Sequence, residues 1–549
     1  MRHPPRGVAD TLDGTNSPPG AMSSLSNLIP DPSTPFCFQC RPAAVALTTF
    51  PAFSSPGVVS VAYQLGTRIY GLIATARNTG HDEPFVYDIP SATFITVSGV
   101  TSGNTPVTQA SAGAWTPPTM TLVSTKILVT HPGFPGSGTN FGWFDISTLA
   151  SPAWSAGNTA TNALPSVPVG VQQFGNRAYF SMSNGQVWFS DVLVPTTITN
   201  ASNVLQVGDN TAPTAMAALG LITTSGGIVQ GLVVFKNTTV WQVTGDVATT
   251  NLSLNNLSPA AGTLAPRSIA NTPLGVLFMS NDGIRMVTLT GSVTEPLDGV
   301  TVPFRNVSIP SRVVAAYNAG VYRICVQNSQ AIGAPYQDWW YDQPKGIWTG
   351  PHTFRYDVAV AYNSTFILFS NATGATRTLW QSDPWQVLTS SFTENGVQLT
   401  WTYQTAPLAD LGRLTANSAI ETTINVAFGS GMTSFTGTNW DAFTWGNTRW
   451  YGITTFSPTQ QLSVVASDES GTVLSQAILT SSSSGTLWDS FNWGGSKWGS
   501  SISGLRPYSI PWTKPLVFTK LVILATGGSA PGLKVSNLQV LYQPLNYVP

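Results

Sequence analysis

Charge is what this chain has least of. Only 9% of its 549 residues are Asp, Glu, Lys or Arg, against about 25% in an ordinary globular protein. Solubility therefore rests on Ser, Thr, Asn and Gln. The 23 basic and 24 acidic residues leave a net charge of −1, and no Lys/Arg run occurs. Tight nucleic-acid binding works through clustered phosphate contacts and counterion release, so this balance argues against a dedicated DNA binder. A wall along which DNA must slide has the opposite requirement, because every phosphate it neutralises adds drag. Scarce charge also suits a chain that lives inside an assembly, where an unpaired buried charge is costly. A secreted or virion-surface β protein is the plainer alternative.

Cysteine is nearly absent too. Cys37, Cys40 and Cys325 are too few, and odd in number, which excludes a disulfide framework. Cys37 and Cys40 form a lone CxxC with no second pair and no neighbouring His, half the ligand set of a zinc site. No run approaches the ~18 apolar residues of a membrane span, and the opening MRHPPRGVADTLDG lacks the apolar core of an export signal. No membrane partner is expected.

Catalytic signatures are missing as well. His3, His81, His131 and His352 have no metal-ligand spacing, and no GxSxG, P-loop, HExxH or EF-hand pattern occurs. The densest titratable cluster, His81-Asp82-Glu83, reads as a solvated loop. Sialidase-type Asp boxes (S-x-D-x-G-x-x-W) are approached only at Ser280 to Gly283 and Ser467 to Gly471. The first lacks the spacer before Gly; the second has Glu469 in place of Asp and no Trp after it. Glycosidic carboxylates can still be brought together across a fold, but nothing marks such a pair. The expectation is a non-enzyme with no cofactor, metal or catalytic residue.

What the chain does have is turns and short apolar runs. With 50 Gly, 40 Pro and 42% hydrophobic residues, it is poor in helix formers and rich in turn formers, the composition of an all-β protein. The stretch from Gly231 to Val287 shows the plan. Leu232 to Phe235 and Val240 to Val243 flank Lys236-Asn237-Thr238-Thr239, and Val276 to Met279 and Ile284 to Val287 flank Ser280-Asn281-Asp282-Gly283. Each is a β-hairpin signal. Hairpins about 40 residues apart are what successive blades of a β-propeller leave in a sequence. Further candidates are Val58 to Ile73, Thr121 to Val129 followed by Trp143 to Ile146, Arg177 to Phe189, Val313 to Val326, turning at Asn318-Ala319-Gly320, and Ala359 to Trp380, turning at Asn371 to Gly374. The fold expected is an irregular β-propeller of six or seven blades over 46–390. Residues 1–45 read as an extended arm with one short helix, because Ala21, Met22, Leu25, Leu28 and Ile29 share a helical face before Pro30.

Residues 391–549 read as a second, β-sandwich-like platform domain, with strands at Ile420 to Phe428, Leu462 to Ala466, Pro515 to Leu524 and Leu533 to Tyr542. Its mark is a duplicated motif, WDxFxWGxx[RK]W, running from Trp440 to Trp450 and again from Trp488 to Trp498. Phe443 and Trp445, like Phe491 and Trp493, share a strand face. Arg449 beside Trp450, and Lys497 beside Trp498, place a cation next to a ring. Two readings stand: aromatic loops that cap the domain, or an outward contact surface for a partner protein or a sugar, formed by Trp440, Phe443, Trp445, Arg449, Trp450, Trp488, Phe491, Trp493, Lys497 and Trp498.

The segment that ends in Val243-Thr244-Gly245, continues through Pro266-Arg267-Ser268-Ile269 and GVLFMSNDGIRMV, and closes with Glu295-Pro296-Leu297 resembles the tail nozzle, or packaged-DNA stabilisation, proteins of short-tailed bacteriophages. Gly20 to Ala43 is similar to the opening segment of that family, and the likeness of pattern spans roughly the first 390 residues. The resemblance implies a virion tail protein assembled in the host bacterial cytoplasm. It implies a homo-oligomer, a hexameric ring docked on a head-to-tail adaptor above, with fibres, spikes or a needle below. Such a ring is a conduit and gate for double-stranded genomic DNA, touching it transiently and non-specifically. The rival expectations are a carbohydrate-binding adhesin or depolymerase built on a propeller, with the Trp-rich repeats gripping sugar, and a cellular propeller scaffold for protein partners.

Overall fold

The computed structural model describes residues 2–3, 8–9, 21–49, 58–74, 81–108, 116–222, 228–245, 252–305, 307–327, 336–370, 378–386, 390–394, 396–408, 417–427, 432–436, 453–456, 461–468, 470–480, 506–518, 520–530 and 532–544. Among these there is no α-helix. The chain forms two compact units: 45–343 with 354–382, and 1–44 with 344–353 and 383–549.

The first unit is a seven-bladed propeller. Blade 1 is Val58–Leu65, Arg68–Ala74, Asp82–Asp88 and Thr93–Ile95; blade 2 is Thr119–Val123, Lys126–Thr130, Phe141–Asp145 and Ala153–Gly157. Blade 3 is Gly170–Phe174, Arg177–Ser181, Gln186–Phe189 and Val204–Gln206; blade 4 is Ala215–Ile222, Ile228–Phe235, Val240–Thr244 and Ser253–Ser258. Blade 5 has Ala270–Thr272, Gly275–Ser280 and Gly283–Thr288. Blade 6 contains Val314–Asn318, Val321–Gln327 and Tyr336–Asp342, and blade 7 contains Val358–Tyr362, Thr365–Ser370 and Thr378–Ser382. All of these pairings are antiparallel. The first strands of the blades neighbour one another in order, except that blade 4's lies against the second strand of blade 5, and that of blade 7 returns to that of blade 1. Val45–Thr49, which precedes blade 1 in the chain, pairs antiparallel with Thr378–Ser382 as the fourth strand of blade 7. Hydrogen bonds between the two ends of the propeller sequence thus close the circle.

The short apolar runs are explained by this stacking. Side chains alternate across a strand, and a blade inside a ring is covered on both faces, so its middle strands carry apolar side chains on both faces. In Arg68–Ala74, Ile69 and Ile73 pack with Val360, Ile367 and Phe369 of blade 7, whereas Tyr70 and Leu72 pack with Ile127, Val129 and Phe144 of blade 2. Blade 4 repeats the arrangement: Leu232 and Val234 face Tyr179 and Phe189 of blade 3, and Val233 and Phe235 face Val276 and Phe278 of blade 5. Each such side chain contributes about 1.5–3 kcal/mol of burial. Gly71 lies where Phe85 crosses its strand, and a Cβ there would sit 2.5 Å from the Phe85 ring. Gly262 lies against the Lys236–Thr239 hairpin turn, with a Cβ only 2.1 Å from the Lys236 carbonyl, and Thr263 N–H donates to that same carbonyl.

The second unit holds two larger antiparallel sheets besides two-stranded pairings. One runs Leu28–Pro30, Cys37–Cys40, Lys534–Pro544, Asn417–Ala427, Arg506–Phe518. The other includes Met22–Ser26, Thr400–Thr405, Leu521–Gly528, Gln461–Asp468 and Val473–Thr480. The expected helix at 21–29 is replaced by strands Met22–Ser26 and Leu28–Pro30, broken at Asn27 with φ +54°. The apolar spacing fits a helix, but Ser23, Ser24 and Ser26 are weak helix formers, and pairing with Thr400–Thr405 supplies their hydrogen bonds instead. Residues 1–44 are accordingly part of this unit. Their end is pinned by Arg41, fully buried, whose Nη1 and Nη2 donate to Glu394 at 3.0 and 3.1 Å and whose Nε donates to Asn27 Oδ1 at 2.8 Å. The run Pro515 to Leu524 holds parts of two strands, Arg506–Phe518 and Leu521–Gly528. Pro507, Pro511 and Pro515 all sit in the first of these, which is last in its sheet, a placement that blunts an edge.

Candidate functional site

The aromatic motif residues Trp440, Phe443, Trp445, Arg449, Trp450, Trp488, Phe491, Trp493, Lys497 and Trp498 lie outside the described residues. Met432–Thr436 and Ile453–Phe456, on either side of the first copy, pair antiparallel.

The described chain does present a cavity at the centre of the propeller, of about 290 Å³, lined by the first strands of blades 1, 2, 3, 4, 6 and 7 and by the Pro266–Asn271 entry to blade 5. Its walls are small or apolar, among them Ala62, Ala215, Ala315 and Ala359. The polar lining side chains are Thr119, Gln172, Asn271 and Arg267, and Arg267 alone carries a formal charge. No Asp, Glu, His or Cys appears in the lining among the described residues.

Arg267 is set by the one-turn 3₁₀ segment Pro266–Ser268 that leads into blade 5. Proline there supplies a preset φ at a position whose N–H would have no partner in the turn. Arg267 Nη1 donates to the carbonyls of Ser60 at 3.3 Å and Asp357 at 2.9 Å, so one side chain from blade 5 reaches blade 1 and the lead-in to blade 7. Burial, with a smaller contribution from Arg312, pulls its pKa down to about 9 against the opposing influence of Asp357 and Tyr336. The neighbouring Ser268 is equally committed. Its Oγ–H donates to the Ala265 carbonyl, its Oγ accepts Met279 N–H, and its carbonyl accepts Tyr322 O–H from blade 6.

Ser60 stands at a β-bulge between Val59 and Val61, which frees its hydroxyl to donate to Asp82 Oδ2 at 2.6 Å. Asp82 also accepts from Thr108 Oγ1 at 2.6 Å. The His81-Asp82-Glu83 cluster is therefore not a solvated loop. Asp82 and Glu83 belong to strand Asp82–Asp88, and Asp82 is fully buried. Burial raises its pKa to about 6 against the lowering effect of its Ser60 and Thr108 hydrogen bonds.

Other ionisable groups are held in the packing. Arg323 and Asp338 form a fully buried ion pair at 2.7 Å in blade 6. Trp340 Nε1 and Tyr356 O–H donate to the same carboxylate, and Arg323 Nη1 reaches Ser382 Oγ in blade 7. His131 accepts Gly133 N–H at Nδ1, and burial lowers its pKa to about 4. Burial raises the thiols of Cys37 and Cys40 to about 12 and about 11. Among the described residues no three His, Cys, Asp or Glu side chains are grouped to hold a metal ion.

No protein-family model matches the chain, and none of the curated proteins does. Among solved structures, the WD40 β-propeller domain of Doa1 is similar at 11% identity, covering 62% of this chain and 97% of that one with a TM-score of 0.37. BBS1N in complex with ARL6DN is similar at 11% identity, 63% and 99% coverage and a TM-score of 0.38. The computationally designed Ika8 protein aligns at 11% identity, 62% and 99% coverage and 0.37. At such scores these likenesses carry nothing beyond themselves, and the seven-bladed ring stands on this chain's own strand registers and closure.

Proposed function

We propose that this chain is a structural virion protein: the subunit of a ring-shaped tail nozzle, hexameric, below a head-to-tail adaptor and above fibres, spikes or a needle, through which double-stranded DNA is retained and then ejected. The observation that carries the reading is that the segment bearing the family resemblance, Gly231 to Leu297, occupies the heart of blades 4 and 5, with Pro266-Arg267-Ser268 at the propeller axis. A near-neutral composition supports it. The axial cavity of a single propeller, about 290 Å³, is of small-molecule size. The DNA path in this reading runs between copies of the chain, not through each propeller. Light scattering over a dilution series tests the assembly. A concentration-stable ring of several subunits supports the proposal, and a monomer that binds or cleaves polysaccharide replaces it with the adhesin or depolymerase reading.

A further inference from the structure

We propose that the axial cavity of the propeller is a binding site for one small oxyanion, of the inorganic phosphate or simple carboxylate class, with the Arg267 guanidinium as its charge partner and the Asn271 and Gln172 amides beside it. The cavity of about 290 Å³ lies just below the range for small-molecule sites, roughly 300–1,000 Å³, and combines small apolar walls with a few polar groups. Its one charged lining residue is a cation, and no acid shares the lining among the described residues.

The surroundings reinforce the sign. Arg312 opposes the charge on Arg267, and Arg355 lies 4.0 Å over the Tyr336 ring while donating to its hydroxyl at 3.2 Å. The acid acting on Arg267 is Asp357, which also accepts from Tyr336 O–H at 3.3 Å. Arg323, in blade 6, is balanced by Asp338. A fork of N–H donors suits the paired oxygens of a phosphate or carboxylate better than a halide. The inference does not depend on the ring assembly and holds for a single chain.

The test is calorimetric titration of the full-length protein with inorganic phosphate and, separately, with acetate, each against sodium chloride at matched ionic strength. One saturable site per chain is expected for phosphate, acetate or both, and none for chloride. Response to both marks the carboxylate-sized group as sufficient, and response to phosphate alone marks the larger oxyanion. Arg267→Gln should abolish the site, but its bonds to blades 1 and 7 make loss of folding a possible outcome. Ala315→Met therefore serves as the second variant. It fills the cavity from blade 6 at a residue that takes part in neither Arg267 hydrogen bond, and should weaken anion binding at least tenfold while far-ultraviolet dichroism stays unchanged. The proposal is overturned if the wild type takes up neither anion in the millimolar range, or if Ala315→Met binds as tightly as the wild type.

Discussion

Arg323 and Asp338 show how a chain with few charges spends them. The pair is fully buried between blades 6 and 7, its carboxylate saturated by Arg323, Trp340 and Tyr356. Removing one member of such a pair leaves a desolvated charge and costs about 3–5 kcal/mol. Asp338→Ala should lower the urea midpoint accordingly, while the exposed-side pair of Lys126 with Asp145 should matter by under about 1 kcal/mol when Asp145 is replaced. A midpoint for Asp338→Ala equal to that of Asp145→Ala would refute the assignment.

Asp82 and His131 make opposite contributions to pH dependence. The folded pKa of Asp82 is raised to about 6, above its unfolded value of about 3.9. Between those values the folded state holds more protons, so the Asp82 contribution to stability is full at low pH and is lost as pH rises through 6. His131, lowered to about 4 from about 6.5, does the reverse, adding stability as pH rises through the same window. Asp82→Asn should therefore change the slope of stability between pH 4 and 6, making it more positive than in the wild type by an amount on the order of 2–3 kcal/mol across the window. Chemical denaturation at several pH values reads this directly. Equal slopes in the two proteins would show that the Asp82 carboxyl is solvated.

At the scale of strands, most of the propeller was legible. Leu232 to Phe235 and Val276 to Met279 announce strands buried on both faces, and Lys236 to Thr239 and Asn318-Ala319-Gly320 announce turns, the last with Ala319 at φ +48° and Gly320 at φ +84°. What was not legible is non-local. Nothing in Val45–Thr49 says that it completes blade 7, and the apolar spacing at 21–29 is shared by a helix and by strands paired with a distant partner. Asn371 to Gly374, the expected blade 7 turn, lies outside the described residues. Two substitutions test the stacking. Gly71→Ala, whose Cβ would lie 2.5 Å from the Phe85 ring and 2.7 Å from the Val61 carbonyl, should cost about 1–3 kcal/mol by overpacking. Leu47→Asp, on the closing strand and packed on the blade 1–blade 7 cluster, should speed amide exchange in Thr378–Ser382 far more than in blades 3 and 4. Uniform exchange would contradict closure at blade 7.

For the whole molecule, the candidate sites divide by how far their parts lie apart in sequence. The Trp-rich duplication is visible because it repeats locally, yet its residues fall outside the described ones. The axial cavity was invisible because its lining comes two to four residues at a time from seven blades, and only the fold brings Ser60, Arg267 and Asp357 together. Pro266-Arg267-Ser268 was noticed as part of a resemblance, and the structure gives it a physical role as the knot joining blades 1, 5 and 6 with the lead-in to blade 7. The proposed tail-nozzle function stands on that resemblance and on the low charge.

Electron microscopy of the purified full-length protein tests that proposal most directly. The account predicts end-on projections with sixfold symmetry around a central opening wide enough for a duplex, with the propellers arranged around that opening. Single, unassociated particles, or assemblies whose only axial hole is that of the individual propeller, would contradict it.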